Sequence, residues 1–319
     1  MAELTRLVIA FNLDPRQLER VRDAYPDLEV VVQAERERLG EVLPGAQAMV
    51  GRGLTPELLA AASDLRWLQI TGAGVENLLF PALVESSVLV TNFSGVHAPN
   101  MAEHLVAMML AFARGLPEIM RFQVRHEWHH AERGTFELGG QTLGVLGLGD
   151  IGNALAWRAN ALGMRVVGLK RRSTDLPRGV ERIYLPDELP ALLAESDHVA
   201  SALPLTPRTR HLLGVAEFAA MRPSAYVYNV GRGAVIDQAA LVDALRAGRI
   251  AGAGLDVTDP EPLPADSPLW DMPNVLITSH TSGGSPRYWE RGIEILLENI
   301  GRYRRDEPLL NVVDKHEGY

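Results

Sequence analysis

The sequence predicts an α/β protein built from two doubly wound parallel sheets. Three observations lead there: two separate runs in which short apolar segments alternate with amphipathic ones, a long helical stretch between the runs, and a glycine-rich turn with a strand before it and a helix after it. A chain of 319 residues has length for roughly two domains at the usual ~100–200 residues each, so both sheets can bury a sizeable core.

In the first run, segments 7–11, 28–32, 48–50, 67–70 and 88–90 have the length and residue types of strands. Segments 15–24 and 56–62 and the stretch before Leu43 have helical patterning. The intervening helix is expected over 100–114, with Met101, Leu105, Met108, Met109 and Phe112 on one broad face, and it stops at Gly115 ahead of Pro117. From Gln141 the alternation resumes, with strands at 142–146, 165–169, 198–201, 225–229, 253–256 and 275–278 and a last helix at 287–303. Neither a short repeat nor a low-complexity segment interrupts the pattern.

Composition removes several function classes. With 31 Lys and Arg against 40 Asp and Glu, the formal net charge is −9, which argues against a nucleic-acid partner, since phosphate binding needs a basic face. No cysteine is present, so disulfides, thiolate metal sites and thioester intermediates are excluded. The apolar run 7–11 is too short for a signal sequence, and no stretch reaches ~18 apolar residues, so a cytoplasmic protein with no membrane partner is expected. Lysine occurs only at Lys170 and Lys315, which gives the run Lys170-Arg171-Arg172 particular interest.

The strand 142–146 leads into Gly147-Leu148-Gly149-Asp150-Ile151-Gly152 and then into a helical stretch, 153–162. In that context the glycine spacing is a dinucleotide-binding fingerprint: the first glycine makes the turn, the second admits pyrophosphate and the third lets helix pack on strand. The helix N-terminus then offers its free N–H groups to the phosphates. About twenty residues on, where an NAD site usually carries Asp or Glu for the ribose hydroxyls, stand Lys170, Arg171 and Arg172. Three cations in place of a carboxylate suit a 2′-phosphate, so NADP(H) is preferred over NAD(H), which stays possible if they form only a solvated strand end.

Other chemistry-bearing residues fall at strand ends of the second run. They are Asn229-Val230-Gly231-Arg232-Gly233, then Asp256-Val257-Thr258-Asp259-Pro260-Glu261-Pro262, and Ser279-His280. Ligands of open parallel sheets bind beyond the carboxyl ends of strands, so these pieces should converge. Together with Gly72-Ala73-Gly74-Val75, Ala102-Glu103-His104 and Leu203-Pro204-Leu205-Thr206-Pro207, in this order and spacing, the chain resembles the D-isomer-specific 2-hydroxyacid dehydrogenase family along essentially its whole length.

The resemblance implies that a cofactor domain at 98–283 is inserted into a substrate domain formed by 1–97 and 284–319, with substrate held between them. It implies a homodimer and a small 2-keto or 2-hydroxy acid as substrate. His280 becomes the general acid in carbonyl reduction and the base in reverse, Glu261 orients its imidazole, and Arg232 holds the carboxylate or carbonyl oxygen through its fork. Backbone amides of Ala73, Gly74 and Val75 receive the substrate carboxylate. Asp256 accepts from the nicotinamide carboxamide, Val230, Gly231 and Gly283 lie at the ring, and Leu203 and Pro204 belong to the cofactor site. Arg52, His97 and Trp289 fall near the expected pocket without an assigned role.

Two rival functions compete. His126-Glu127-Trp128-His129-His130 satisfies HExxH literally, which on a helix would make a zinc hydrolase. Its surroundings are too polar for a packed zinc helix, so a surface or interface segment and no metal are expected. Glu103 and His104 are adjacent on one helix and so point about 100° apart, which argues against a dyad. The second rival is a non-enzymatic dinucleotide sensor on the same fold, against which the intact Arg, Glu and His set argues.

Overall fold

The computed structural model describes every residue except 1–3, 76–77, 130–133, 173–175, 317 and 319. The chain divides into two compact units, Met1–Val96 with Ser285–Tyr319, and His97–Gly284, so the second is inserted into the first.

The first unit begins with β1 (Arg6–Ile9), α1 (Pro15–Ala24), β2 (Glu29–Val32), α2 (Leu39–Val42), β3 (Ala48–Val50), α3 (Pro56–Ala61), β4 (Trp67–Gln69), α4 (Pro81–Glu85) and β5 (Leu89–Thr91). The strands pair in parallel in the order β2-β1-β3-β4-β5. Local chemistry starts the helices: Asp14 and Thr55 accept from the amides of Arg16 and Leu58, and Pro15 and Pro56 occupy the first turn, where no amide partner is needed. Side chains alternate across the sheet. Leu7, Ile9, Val50 and Trp67 pack on one face with Ile293, Leu296 and Ile300. Val8, Met49, Leu68 and Val90 pack on the other with Leu39, Leu43 and Leu83. Both faces are covered, as an all-parallel sheet requires.

The second unit contains α5 (Ala98–Ala113), α6 (Leu116–Gln123), β6 (Thr142–Leu146), α7 (Asp150–Ala161), β7 (Arg165–Leu169), β8 (Arg182–Tyr184), α8 (Leu189–Glu195), β9 (His198–Ser201), α9 (Val215–Ala220), β10 (Tyr226–Asn229), α10 (Gln238–Arg246), β11 (Gly252–Leu255) and β12 (Val275–Ile277). The chain then returns to the first unit through α11 (Tyr288–Arg304). The parallel order is β12-β11-β10-β9-β6-β7-β8. It reverses direction between β6 and β9, and the crevice at such a reversal is where doubly wound sheets bind ligands.

The elements depart from the sequence reading in several places, three of which bear on the site or its neighbours. Gly115 adopts a left-handed φ of 63° and ends α5, but Pro117 falls in the first turn of a new helix, α6, instead of opening a loop. The helix after the fingerprint starts at Asp150, since Gly149 is its cap. Strand β8 was not expected: three residues at a sheet edge carry too little alternation to register. Among the described residues no helix is long and apolar enough to cross a membrane.

Candidate active site

The turn after β12 carries His280. The residue sits in the left-handed region, φ 53°, which histidine tolerates better than most side chains. Its amide donates to the Asp256 carbonyl at 2.8 Å. The Asp256 side chain holds the rest of the turn: Oδ1 accepts from Thr278 Oγ1 at 2.5 Å and from the Thr281 amide at 2.9 Å, and Oδ2 accepts from the Ser282 amide at 3.1 Å. Burial opposes ionisation of this carboxyl, yet the neighbouring Ser282 side chain, the Thr278 hydroxyl and the two amides outweigh it and hold its pKa below the ordinary value. Asp256 was expected to meet the nicotinamide carboxamide. Here its side chain is wholly buried and its oxygens serve the turn.

So fixed, His280 directs Nδ1 at Glu261 Oε2, 2.8 Å away. Glu261 is anchored in its turn, because Oε1 accepts from the Thr258 amide at 3.1 Å. A carboxylate can only accept, so Nδ1 carries the hydrogen in this pair, and Nε2 is the nitrogen left to exchange a proton with a ligand. The two side chains are 55% and 38% exposed, so both can be reached from solvent.

Arg232 follows β10 and is half-buried. Buried Asn229 shapes this turn, donating from Nδ2 to the Arg232 carbonyl at 2.9 Å and accepting from the Gly231 amide at 3.0 Å. The flanking glycines bring loops together. A Cβ on Gly233 would lie 1.9 Å from the Thr258 carbonyl oxygen, and one on Gly231 would lie 2.4 Å from that of Leu203. The loops bearing Leu203 and Pro204, Arg232 and Glu261 thus touch backbone to backbone, which needs glycine at both positions. Val230 is buried in the core below, and its amide donates to Ser201.

At the fingerprint, a Cβ on Gly149 would meet nothing within 4 Å, whereas one on Gly152 would lie 2.1 Å from the Gly147 carbonyl oxygen. The first is room for an approaching ligand and the second is helix packed hard on strand, which fits a dinucleotide pyrophosphate at the start of α7 beside Asp150 and Ile151. Lys170 follows β7 directly, its amide donating to the Tyr184 carbonyl at 3.0 Å, and Arg171 and Arg172 are exposed.

In the first unit, the loop after β4 has its carbonyls tied back. Those of Thr71, Gly72 and Ala73 accept from Arg52 Nε at 2.9 Å, the Phe93 amide at 3.0 Å and Asn92 Nδ2 at 2.7 Å. Across a planar trans peptide the amide points opposite to the preceding carbonyl, so the N–H groups of Ala73 and Gly74 face away from these anchors. Val75 is buried, and Trp289 stacks on Phe11 with centroids 4.9 Å apart.

The HExxH segment does not form a zinc helix among the described residues. His126 has a φ of 58°, residues 127–129 are irregular, and His129 bonds Glu118 at 2.9 Å while stacking on Phe122. His130 lies outside the described residues.

The sequence model of the family described as D-isomer specific 2-hydroxyacid dehydrogenase, NAD binding domain, matches residues 106–282. A D-3-phosphoglycerate dehydrogenase of Methanocaldococcus jannaschii is 33% identical over 92% of this chain and 57% of its own length. The chain belongs to the D-isomer specific 2-hydroxyacid dehydrogenase family. A glyoxylate reductase of Korarchaeum cryptofilum is 36% identical over 81% of this chain and 79% of its own. This family member thus spans little more than half of some curated relatives. Among solved structures, a D-isomer specific 2-hydroxyacid dehydrogenase of Xanthobacter autotrophicus in complex with NADPH and MES has 32% identity and a TM-score of 0.83, covering 99% of this chain and 100% of that one. An NADPH-dependent glyoxylate/hydroxypyruvate reductase of Sinorhizobium meliloti with NADP and sulfate has 29% identity and a TM-score of 0.82 over 99% and 100%.

Within this dehydrogenase fold the sequence reading missed several contacts. His97 Nδ1 lies 2.9 Å from the Gly283 carbonyl, and Asn100 Nδ2 donates to that of Ser282 at 2.7 Å. His104 and Glu103 serve different partners, Thr278 and Arg158, each at 3.0 Å. Their spacing along one helix, at positions 97, 100 and 104, was the available signal.

Proposed function

We propose that this dehydrogenase reduces small 2-keto acids to D-2-hydroxy acids and prefers NADP(H) to NAD(H). The observation that carries the reading is the His280–Glu261 hydrogen bond of 2.8 Å at the carboxyl edge of the sheet. A bound reduced nicotinamide dinucleotide supplies the hydride for the carbonyl carbon. His280 delivers the proton from Nε2 to the carbonyl oxygen as charge develops there, and Glu261 keeps the ring oriented while it does so. Arg232 binds the substrate carboxylate or polarises the carbonyl with its fork, and the amides of Ala73, Gly74 and Val75 receive the carboxylate. In the reverse direction His280 takes the hydroxyl proton.

The preference for NADP(H) rests on Lys170, Arg171 and Arg172 at the end of β7, where a ribose-binding carboxylate would otherwise stand. It is supported by the NADPH and NADP complexes of the two structural relatives. We assign Val230, Gly231 and Gly283 to the nicotinamide end of the site, with Leu203 and Pro204 beside them, and Asp256 to the same end through the turn that it holds. A homodimer is proposed through the exposed side chains of Leu116, Met120, Val124 and Trp128, which recur every four residues on and after α6.

The test is a panel of glyoxylate, hydroxypyruvate, pyruvate and branched 2-keto acids with NADPH and NADH. Turnover of at least one acid, with higher kcat/KM for NADPH, is the expected result. Equal or better use of NADH would overturn the cofactor preference, and tight cofactor binding without turnover would favour the sensor.

A further inference from the structure

The Ala102-Glu103-His104 motif lies on α5, away from the residues assigned to proton transfer, yet one face of that helix holds the catalytic turn. His97, which caps α5, and Asn100 and His104 within it are spaced three and four residues apart and so fall on one side of the helix. The first two bond the carbonyls of Gly283 and Ser282, just after His280. His104 Nε2 meets Thr278 Oγ1 at 3.0 Å, just before it. The Thr278 hydroxyl has one hydrogen and gives it to Asp256 Oδ1 at 2.5 Å. His104 must therefore donate from Nε2, which fixes its tautomer. Its ring nitrogen also lies 3.8 Å from Asp256 Oδ1, and its side chain is 23% exposed.

The result is a directional chain. His104 donates to Thr278, Thr278 donates to Asp256, and Asp256 gathers the Thr281 and Ser282 amides with its carboxylate and the His280 amide with its backbone carbonyl. The left-handed backbone of His280 is enclosed by these bonds, and its ring direction toward Glu261 depends on them. A non-glycine residue in that region persists because its surroundings over-determine it.

We propose that His104 is a positioning residue for His280, acting through the Thr278 hydroxyl and the Asp256 carboxylate. The proposal rests on the assignment of His280 as the proton donor. Removing the donor at position 104 leaves Thr278 free to rotate away from Asp256, the turn loosens, and the imidazole loses its aim. Misplacement of this kind acts on the chemical step, since a shift of about 1 Å can cost on the order of 100-fold in rate.

The experiment compares His104→Leu, His104→Gln, Thr278→Val and Thr278→Ser in the full chain, with His280→Ala as control. Leucine fills the space without a donor, while glutamine places an amide donor near the Nε2 position. His104→Leu and Thr278→Val should lower kcat by roughly 10-fold or more with NADPH affinity within two-fold of wild type, and His104→Gln and Thr278→Ser should restore most of it. The double variant His104→Leu/Thr278→Val should be no worse than the poorer single variant, because both cut one chain. Wild-type kcat in His104→Leu, or no rescue by His104→Gln together with additive losses in the double variant, overturns the proposal. If His280→Ala itself keeps full activity, the assignment of the proton donor has failed instead.

Discussion

His198 offers a sharp physical test of the nucleotide-binding unit. It is fully buried on β9, with Nε2 2.6 Å from Gln141 Oε1 and Nδ1 3.0 Å from the Tyr228 hydroxyl, and it stacks on both Tyr226 and Tyr228. Gln141 Oε1 can only accept, so the neutral ring donates from Nε2 and receives the tyrosine hydrogen at Nδ1. Burial pushes its pKa down from 6.5 to about 4, against a smaller opposing pull from Asp197. The folded chain therefore refuses a proton that the unfolded chain accepts below about pH 6.5. This contribution is fully present above pH 6.5 and lost as pH falls toward 4, at a limiting rate of roughly 1.4 kcal/mol per unit. Integrated, it amounts to about 2 kcal/mol lost by pH 5 and about 3 kcal/mol by pH 4. His198→Gln keeps a donor and an acceptor without a titrating ring. Denaturant unfolding of both proteins between pH 7.5 and 5 should show wild type losing about 2 kcal/mol more than the variant, other titrating groups cancelling in the difference. Parallel stability curves would refute the reasoning.

Glu261→Gln keeps the shape of the His280 partner but removes its charge, and kcat should fall by at least about 10-fold with little change in cofactor affinity, measured by steady-state turnover and NADPH fluorescence titration. Gly152→Ala places a carbon 2.1 Å from the Gly147 carbonyl oxygen, so helix and strand must separate; NADPH binding should be lost or weakened by more than about 100-fold, and an unchanged Kd would contradict the packing role. Arg171→Ala/Arg172→Ala should lower kcat/KM for NADPH by about 100-fold or more while leaving NADH nearly unaffected, since each of the two lost charge-assisted phosphate contacts is worth roughly 1.5–3 kcal/mol. Met120→Glu/Val124→Glu should convert a dimer to a monomer in sedimentation, and a wild-type monomer would remove the proposed interface.

Much of the molecule was readable before any coordinates. The strands 142–146, 165–169 and 198–201 have the same limits in the structure, since each is an apolar run closed by a clear change of pattern. The same holds for the helix over 15–24, which has Asp14 as its cap and Pro15 in its first turn. Edge strand β8 and the restart at α6 escaped, the first because three residues carry no usable period and the second because a proline after a glycine reads equally as an end or a beginning. For the candidate site, residue identities were legible and their dependencies were not. Nothing in Gly231-Arg232-Gly233 says that its glycines abut the carbonyls of Leu203 and Thr258, because those partners come from other loops. Asp256 likewise is read from the sequence as a strand-end residue, but its burial beneath the His280 turn is a tertiary fact.

The central claim is that His280 transfers the proton in a 2-keto acid reduction. It is tested most directly by NADPH oxidation in wild type and His280→Ala with the 2-keto acid panel. The expected result is turnover of at least one acid by wild type and a loss of about 100-fold or more in the kcat of the variant, with NADPH affinity preserved. A variant that retains wild-type kcat, or a wild-type protein that binds NADPH tightly and reduces none of the acids, would contradict it.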